Sequence, residues 1–305
     1  MRTVKWVGGF LLGLAVFALA WGLIEPHTIS VERYEVELEG LPEAWEGRQV
    51  AVVSDFQVGM WLDNTGAVDR AMQRLAEERP KLVLILGDFI YHGAEDASGR
   101  IDHVVELIDP LGAADVPVYA VLGNHDYSVA SYQDPSVDET RARALRTALE
   151  GTGVQVLQNE TVPVAPYGEV ESETEQAEAL YLVGIGARMP NKARAELALQ
   201  GVPEGAARVV MMHNPGTFAN VPAHAAPLGV AGHTHGGQIR IPFTPTWSWV
   251  TYLKEDQIHV DGWIRDYGEP GNRLYVNRGI GFSKVPLRIN CPPEITVFTL
   301  YKPEK

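Results

Sequence analysis

Five separate apolar, β-branched runs in this chain each end in a residue able to bind a metal. They are Val50–Asp55, Leu82–Asp88, Val118–Asp126, Val209–His213 and Leu228–His235. Each is continuously apolar rather than alternating, which predicts a strand buried on both faces. Side chains at the carboxyl ends of neighbouring strands meet in one crevice, and open α/β sheets place their ligands there. The recurrence therefore predicts an α/β fold with a metal-centred site.

The stretches between the runs fit that architecture. Thr65–Glu78, Gly99–Ile108 and Asp138–Leu149 read as helices, so strand and helix alternate through the first half, as in a layered α/β domain. Thr28–Leu38 alternates apolar and polar residues in two phases, and the slip at Glu32-Arg33 predicts a bulge. In the second half Val154–Val156, Ala179–Ile185, Leu274–Val276 and Ile295–Leu300 read as strands with fewer helices between them, which predicts a second sheet packed on the first. Glu169–Glu178 is an acidic insertion expected to be a solvated loop. Pro242–Asn272 is a long connection rich in Trp, Tyr and Pro, of the length that often carries function.

One boundary is visible near the N-terminus. Trp6–Ile24 carries no charge, follows Arg2 and Lys5, and is closed by Glu25-Pro26. About 20 apolar residues suffice to cross a bilayer, so residues 1–25 are expected to form a membrane anchor and residues 26–305 the functional domain. Ala18-Leu19-Ala20 resembles a signal-peptide cleavage site, but the apolar run continues to Ile24, which favours an uncleaved anchor. With Arg2 and Lys5 leading, the domain is expected on the exported side of the cytoplasmic membrane.

Composition narrows the partners. A net charge of −14 argues against a nucleic-acid binder, which needs a basic face for phosphates. It is compatible with an anionic substrate, because bound dications dominate the field around them. Cys291 is the only cysteine, which excludes an intrachain disulfide and any zinc site built from several cysteines.

Taken singly, the strand-end residues are weak signals: an Asp there is most often a helix cap, and a His near a core is usually a core histidine. Their joint occurrence carries the weight. His125, His213, His233 and His235 stand at or just past strand ends beside Asp55, Asp88 and Asn124. Mixed oxygen and imidazole donors suit two divalent metals such as Mn, Fe or Zn rather than calcium alone. Two such ions about 4 Å apart clamp a phosphate and generate a hydroxide nucleophile from water. Asp88 is the favoured bridge, since a carboxylate has two oxygens to share.

In order along the chain, Asp55-Phe56-Gln57, Gly87-Asp88, Gly123-Asn124-His125-Asp126, His213 and Gly232-His233-Thr234-His235 resemble the signature of the calcineurin-like metallophosphoesterases. The apolar N-terminus, Gly232-His233-Thr234-His235-Gly236-Gly237-Gln238 and Arg288-Ile289-Asn290-Cys291-Pro292-Pro293-Glu294 further resemble a membrane-tethered bacterial branch. The resemblance implies a four-layer α/β/β/α sandwich, here preceded by one transmembrane helix. It also implies a first metal on Asp55, Gln57, Asp88 and His235, and a second on Asp88, Asn124, His213 and His233. His125 would then protonate or steady the leaving group, with Asp126 orienting its ring.

Gln57 departs from the family, which usually has His there. A neutral amide oxygen is a harder, poorer donor, so Mn or Mg is expected over Zn at the first position. Gln there also resembles a branch acting on nucleotide diphosphates. Outside the blocks, His27, His92, His103, His224 and His259 are expected not to bind metal. Arg278 and Arg288 are candidates for substrate phosphate or structural ion pairs, and Trp247, Trp249, Tyr252 and Trp263 for a groove, a membrane interface or plain packing. The function expected is a membrane-anchored dimetal hydrolase that breaks a phosphodiester or phosphoanhydride bond by attack of metal-bound hydroxide. Its substrate would be a phosphorylated small molecule or a lipid-linked species, UDP-2,3-diacylglucosamine being one type known in the wider family. The alternatives are a nucleotide-diphosphate-type pyrophosphohydrolase and a non-catalytic metal-binding scaffold.

Overall fold

A computed structural model describes residues 2–304 except 63, 94–95, 132, 134–135, 167–177, 242–247, 249–259 and 266. The expected acidic loop thus lies outside the described residues but for Glu178, as do Trp247, Trp249, Tyr252 and His259.

The β-branched runs fold as parallel strands in the middle of two sheets. In the first, β2 (Gln49–Val53), β3 (Leu82–Ile85) and β4 (Val118–Ala120) are adjacent and parallel. With β1 (Ser30–Glu37), β5 (Gln155–Val156) and β12 (Glu294–Tyr301) they give the order β1-β12-β2-β3-β4-β5. The second sheet is built from β6 (Glu160–Val164), β7 (Leu180–Gly184), β8 (Arg208–Met211), β9 (Gly229–Ala231), β10 (Gly262–Ile264) and β11 (Leu274–Val276). Its order is β10-β11-β9-β8-β7-β6. The second half of the chain therefore supplies the second sheet, and in addition returns β5 and β12 to the first.

Burial on both faces explains why the runs carry no polar alternation. Val50, Val52, Leu82 and Leu84 point between the sheets, against Leu182, Val209, Met211 and Val230. Their neighbours Ala51, Val53, Val83 and Ile85 point outward, under α2 (Thr65–Glu78), α3 (Ala97–Ala113) and α4 (Glu139–Glu150). The far face of the second sheet is covered by the short α5 (Ala195–Leu199) and a 3-10 turn at Pro215–Asn220, through Ala198 and Phe218. The layers are helix, sheet, sheet and a thin helical cover.

Helix ends follow local chemistry. Asp138 caps α4 by accepting the Arg141 N–H at 2.9 Å, and Asp96 caps α3 by accepting that of Gly99 at 3.0 Å. α3 runs beyond the expected Ile108 and through Pro110, whose missing N–H affects only its final turn. The bulge expected at Glu32-Arg33 does not form: β1 pairs with β12 residue for residue from Ser30↔Glu294 to Glu37↔Tyr301. The polar residues that break the alternation are held by partners instead. Glu32 accepts from Arg278 at 2.7 Å, and Arg33 donates to Glu78 at 2.8 Å.

α1 (Arg2–Ile24) stands away from the sandwich, with Phe10 68% and Leu12 66% exposed. It is long and apolar enough to cross a membrane. Its foot is fastened to the domain: the Gly22 carbonyl accepts the Arg288 N–H at 3.0 Å, and the Glu25 carboxylate accepts those of Asn290, at 3.0 Å, and Cys291.

Trp263 settles among aromatic rings where the sheets meet, 5.9 Å from Tyr34, 5.3 Å from Tyr275 and 5.8 Å from Phe298. Its role is packing. Phe298→Ala removes a fully buried ring from this cluster and is expected to destabilise the domain by about 3–5 kcal/mol. Leu197→Ala, at a site 52% exposed, should stay within about 0.5 kcal/mol. Denaturant midpoints of the two variants check this.

Candidate metal centre

Each buried strand ends shortly before its candidate ligand, and the backbone turns sharply there. Asp55 and Gln57 follow β2, Asp88 follows β3, and Asn124 and His125 follow β4. His213 follows β8, and His233 and His235 follow β9. The carboxyl ends of both sheets thus face one cleft. Asp55, Gln57, Asp88, His233 and His235 all hold left-handed backbone, with φ of 56°, 56°, 55°, 72° and 49°. Side chains other than glycine rarely take that conformation, and such strain gathers where function demands a particular aim. Two glycines permit the close approach. A Cβ on Gly123 would lie 2.2 Å from Asp88 Oδ1, and one on Gly232 2.0 Å from Ser54 Oγ.

Asp88 lies at the middle. Its Oδ1 accepts the His125 N–H at 2.9 Å, and its Oδ2 lies 3.0 Å from Gln57 Nε2 and 3.2 Å from His213 Nε2. On one side His235 Nε2 approaches Gln57 Nε2 at 3.3 Å and Asp55 Oδ1 at 3.5 Å. On the other, His233 Nδ1 is 3.2 Å from His213 Nε2, and nitrogens of both rings lie within 4.8 Å of an Asp88 oxygen and of each other. The backing groups fix which nitrogen faces inward. His213 Nδ1 donates to the Leu86 carbonyl at 2.8 Å and His235 Nδ1 faces that of Gly281 at 3.3 Å, which leaves both Nε2 atoms for the cleft.

Three oxygens test whether this donor set fits divalent metal. Asp55 Oδ1, Gln57 Oε1 and Asn124 Oδ1 are buried and have no hydrogen-bond partner. Buried acceptors left unpaired are costly, and a carboxylate more so than an amide. Asn124 spends its Nδ2 on the Val129 carbonyl at 2.7 Å, which fixes its Oδ1 as the remaining atom. The two ends of the Gln57 amide have nearly the same shape, so a half turn brings Oε1 to the place where Nε2 meets Asp88 and His235. These oxygens, the Asp88 carboxylate and three imidazoles fit a pair of divalent cations.

The buried charges of the cleft shift one another strongly. Burial disfavours the Asp88 anion, but the His213 and His125 rings outweigh it and hold the carboxyl well below its usual range. Burial also disfavours a charged His213, but Asp88 outweighs it and pushes the ring up to about 9. Burial and the nearby His213 push His233 well down. His125 falls to about 4, through burial that Asp88 only partly offsets.

The expected partnership of Asp126 with the His125 ring is not the one formed. Both Asp126 oxygens accept backbone N–H groups, of Asp88 at 3.0 Å, Ile90 at 3.1 Å and Gly123 at 2.8 Å. Asp126 therefore ties the turn after β3 to the turn after β4 and positions both. Burial and the Asp88 carboxylate push its pKa up to about 7. The ring is backed by His92, whose N–H points at His125 Nδ1 at 3.4 Å and whose imidazole stacks on it with centroids 4.6 Å apart. The sequence signal for His92 was no more than a histidine four residues past Asp88.

Other candidates take structural roles. Arg278 pairs with Glu32 at 2.7 Å and Glu294 at 3.0 Å. Arg288 is wholly buried and donates to the carbonyls of Cys291 at 3.1 Å, Arg278 at 2.9 Å, Gly279 at 3.2 Å and Gly281. His27 and His224 are exposed, and His103 lies on α3.

Known proteins resemble this chain along most of its length. The chain is 25% identical over 314 residues to the uncharacterized metallophosphoesterase YkuE of Bacillus subtilis (strain 168), with 98% of each chain covered. It is 30% identical over 230 residues to the phosphodiesterase YaeI of Escherichia coli (strain K12), covering 73% of this chain and 72% of that one. To the UDP-2,3-diacylglucosamine pyrophosphatase LpxG of Chlamydia muridarum (strain MoPn / Nigg) it is 22% identical over 313 residues, with 92% of each chain covered. The family profile Metallophos, calcineurin-like phosphoesterase, matches residues 48–270, a span from the start of β2 to beyond His235. The chain belongs to the calcineurin-like phosphoesterase family and is a metal-dependent phosphoester hydrolase.

Proposed function

We propose that this protein is a membrane-anchored hydrolase of a phosphodiester or phosphoanhydride bond in a lipid-linked or cell-envelope substrate. The observation that carries the reading is the convergence of three unpartnered buried oxygens, on Asp55, Gln57 and Asn124, with Asp88 and the inward nitrogens of His213, His233 and His235. Asp55, Gln57, Asp88 and His235 form the first half of the donor set, and Asp88, Asn124, His213 and His233 the second. Hard amide and carboxylate oxygens in both halves favour Mn, with Fe, Zn and Mg as alternatives. Two divalent cations bound there supply Lewis acidity toward phosphate oxygens and lower the pKa of water.

The chain's own groups do the rest. The His92 N–H directed at His125 Nδ1 leaves the ring's proton on Nε2, the atom that serves a departing oxygen. Asp126 holds the two turns that carry Asp88 and His125 in register. The full donor set supports turnover over a metal-binding scaffold. The phosphodiesterase relative supports a diester substrate, and the pyrophosphatase relative with Gln57 supports an anhydride.

Residues 1–25 form the anchor in this reading and 26–305 the catalytic domain, with Gly22 and Glu25 as the seam. The leading Arg2 and Lys5 support an orientation with the domain on the exported side of the cytoplasmic membrane.

Full-length protein in detergent, stripped and reloaded with Mn, is expected to cleave a chromogenic phosphodiester, and Asp88→Asn to lose both that activity and bound metal. Stoichiometric metal binding without cleavage of diester or anhydride would overturn the hydrolase reading. His125→Ala should lower turnover by roughly 10²–10⁴-fold while metal content, read by elemental analysis, stays that of the parent.

A further inference from the structure

Three loops gather at the foot of α1, and each also leads into the metal centre. The loop after Gln57 runs to Asn64, whose Nδ2 donates to the Pro26 carbonyl at 3.1 Å and to that of Ile280 at 2.9 Å. The loop from Ser283 to Cys291 meets the foot through the Arg288 N–H and the Glu25 carboxylate, and Gly22 packs against Leu287 and Ile289. The segment after His235 joins them through the parallel bridge Ile239↔Ile289. Trp61 links the first two loops, its Nε1 donating to the Lys284 carbonyl at 3.4 Å.

On this face the loops present bulky apolar side chains to the outside. Trp61 is 59% exposed, Leu62 67% and Val285 36%, with Lys284 exposed between the loops. They adjoin a helix that is itself apolar and exposed. Only Thr28 and Ile29 separate the 3-10 turn Glu25–His27 from β1, so no flexible linker lets the domain swing away from α1. At about 1.5 Å per residue the apolar span Trp6–His27 matches a bilayer core with its end at the foot. Leu287 and Ile289, against Gly22, therefore sit at the depth of the helix's last turn.

We propose that the face formed by Trp61, Leu62, Val285, Leu287 and Ile289 seats in the bilayer surface around the foot of α1, which sets the metal centre against the membrane. Trp favours the interface, and Lys284 can keep its ammonium among headgroups while its stem lies along apolar surface. The net charge of −14 means that attraction to anionic lipid does not drive this contact. Apolar seating does, and neutral lipid suffices. Resting on the hydrolase reading above, the arrangement implies that substrate is taken from the plane of the leaflet in which the domain sits.

Cys291 is the only native cysteine and is buried, so a single introduced cysteine takes a label cleanly. Full-length Leu62→Cys and Val285→Cys carry a nitrobenzoxadiazole label in phosphatidylcholine vesicles, and Leu197→Cys on α5, at the far edge of the second sheet, is the control. The expected result is emission at shorter wavelength and several-fold stronger quenching by doxyl-labelled phosphatidylcholine at 62 and 285 than at 197. Equal quenching at all three positions would overturn the proposal. The readout needs no turnover, so loss of the hydrolase reading leaves it intact. A paired measurement uses Leu62→Glu with Val285→Glu in the full chain. Hydrolysis of a vesicle-borne phosphodiester should fall at least tenfold with the rate on a soluble chromogenic diester unchanged, and equal rates on both would count against the seating.

Discussion

The Asp88 carboxylate is the interaction on which the rest of the centre depends. It is fully buried, and burying an isolated carboxylate is among the costliest things a fold can do. It survives because both oxygens are engaged, Oδ1 by the His125 N–H and Oδ2 by Gln57 and His213. Those partners come from three strand ends in two sheets. The carboxylate therefore fixes the distance between the sheets at the cleft, and a sheet that slipped by one residue would strand an unpaired charge.

Holding so many donors around one point demands unusual backbone. Five candidate ligands sit at positive φ, a region that residues other than glycine enter rarely, Asp and His more readily than most. The strain is tolerated because the strands beneath are locked by packing on both faces. Asp126 contributes from outside the ligand layer, its two oxygens fastening three N–H groups of the adjoining turns. Such an arrangement resembles a nest, with three backbone amides converging on one buried anion.

The strands, their parallel grouping and the convergence of their ends were legible in the sequence, because a strand buried on both faces leaves an apolar run and the candidate donors stand as polar residues at its end. The fate of Glu32-Arg33 was not legible, since a break in alternation looks the same whether the strand bulges or its polar residues find ion pairs with Arg278 and Glu78. Nor was the partner of His125, because adjacency in Asn124-His125-Asp126 says nothing about which way a side chain leaves a 3-10 turn. Asp126 points back toward β3, and His92 arrives from the neighbouring loop by tertiary packing that no local pattern encodes. Arg278 and Arg288 carried a choice between substrate and structure, which was decided by acceptors up to 246 residues away in the chain.

Arg288 shows how α1 and the candidate ligands share one support. Its guanidinium is buried among main-chain carbonyls, which take the place of a carboxylate partner. The same loop gives its Cys291 N–H to Glu25 and its Cys291 Sγ to the His235 carbonyl at 3.3 Å. Burial lowers the His235 pKa, and the Arg288 cation adds to that against Asp55, which favours the neutral ring a metal ligand requires. A cation placed behind the candidate ligands thus does two things at once: it adds to the lowering of the His235 pKa, and through the His235 carbonyl at 3.4 Å it staples the turn carrying His235 to the loop that grips the foot of α1. Any force that displaces the foot relative to β12 is transmitted to His235 through two hydrogen-bonded residues rather than through a flexible linker. The geometry of the centre and the seating of the helix are consequently one mechanical problem, and the sequence solves it with a single loop.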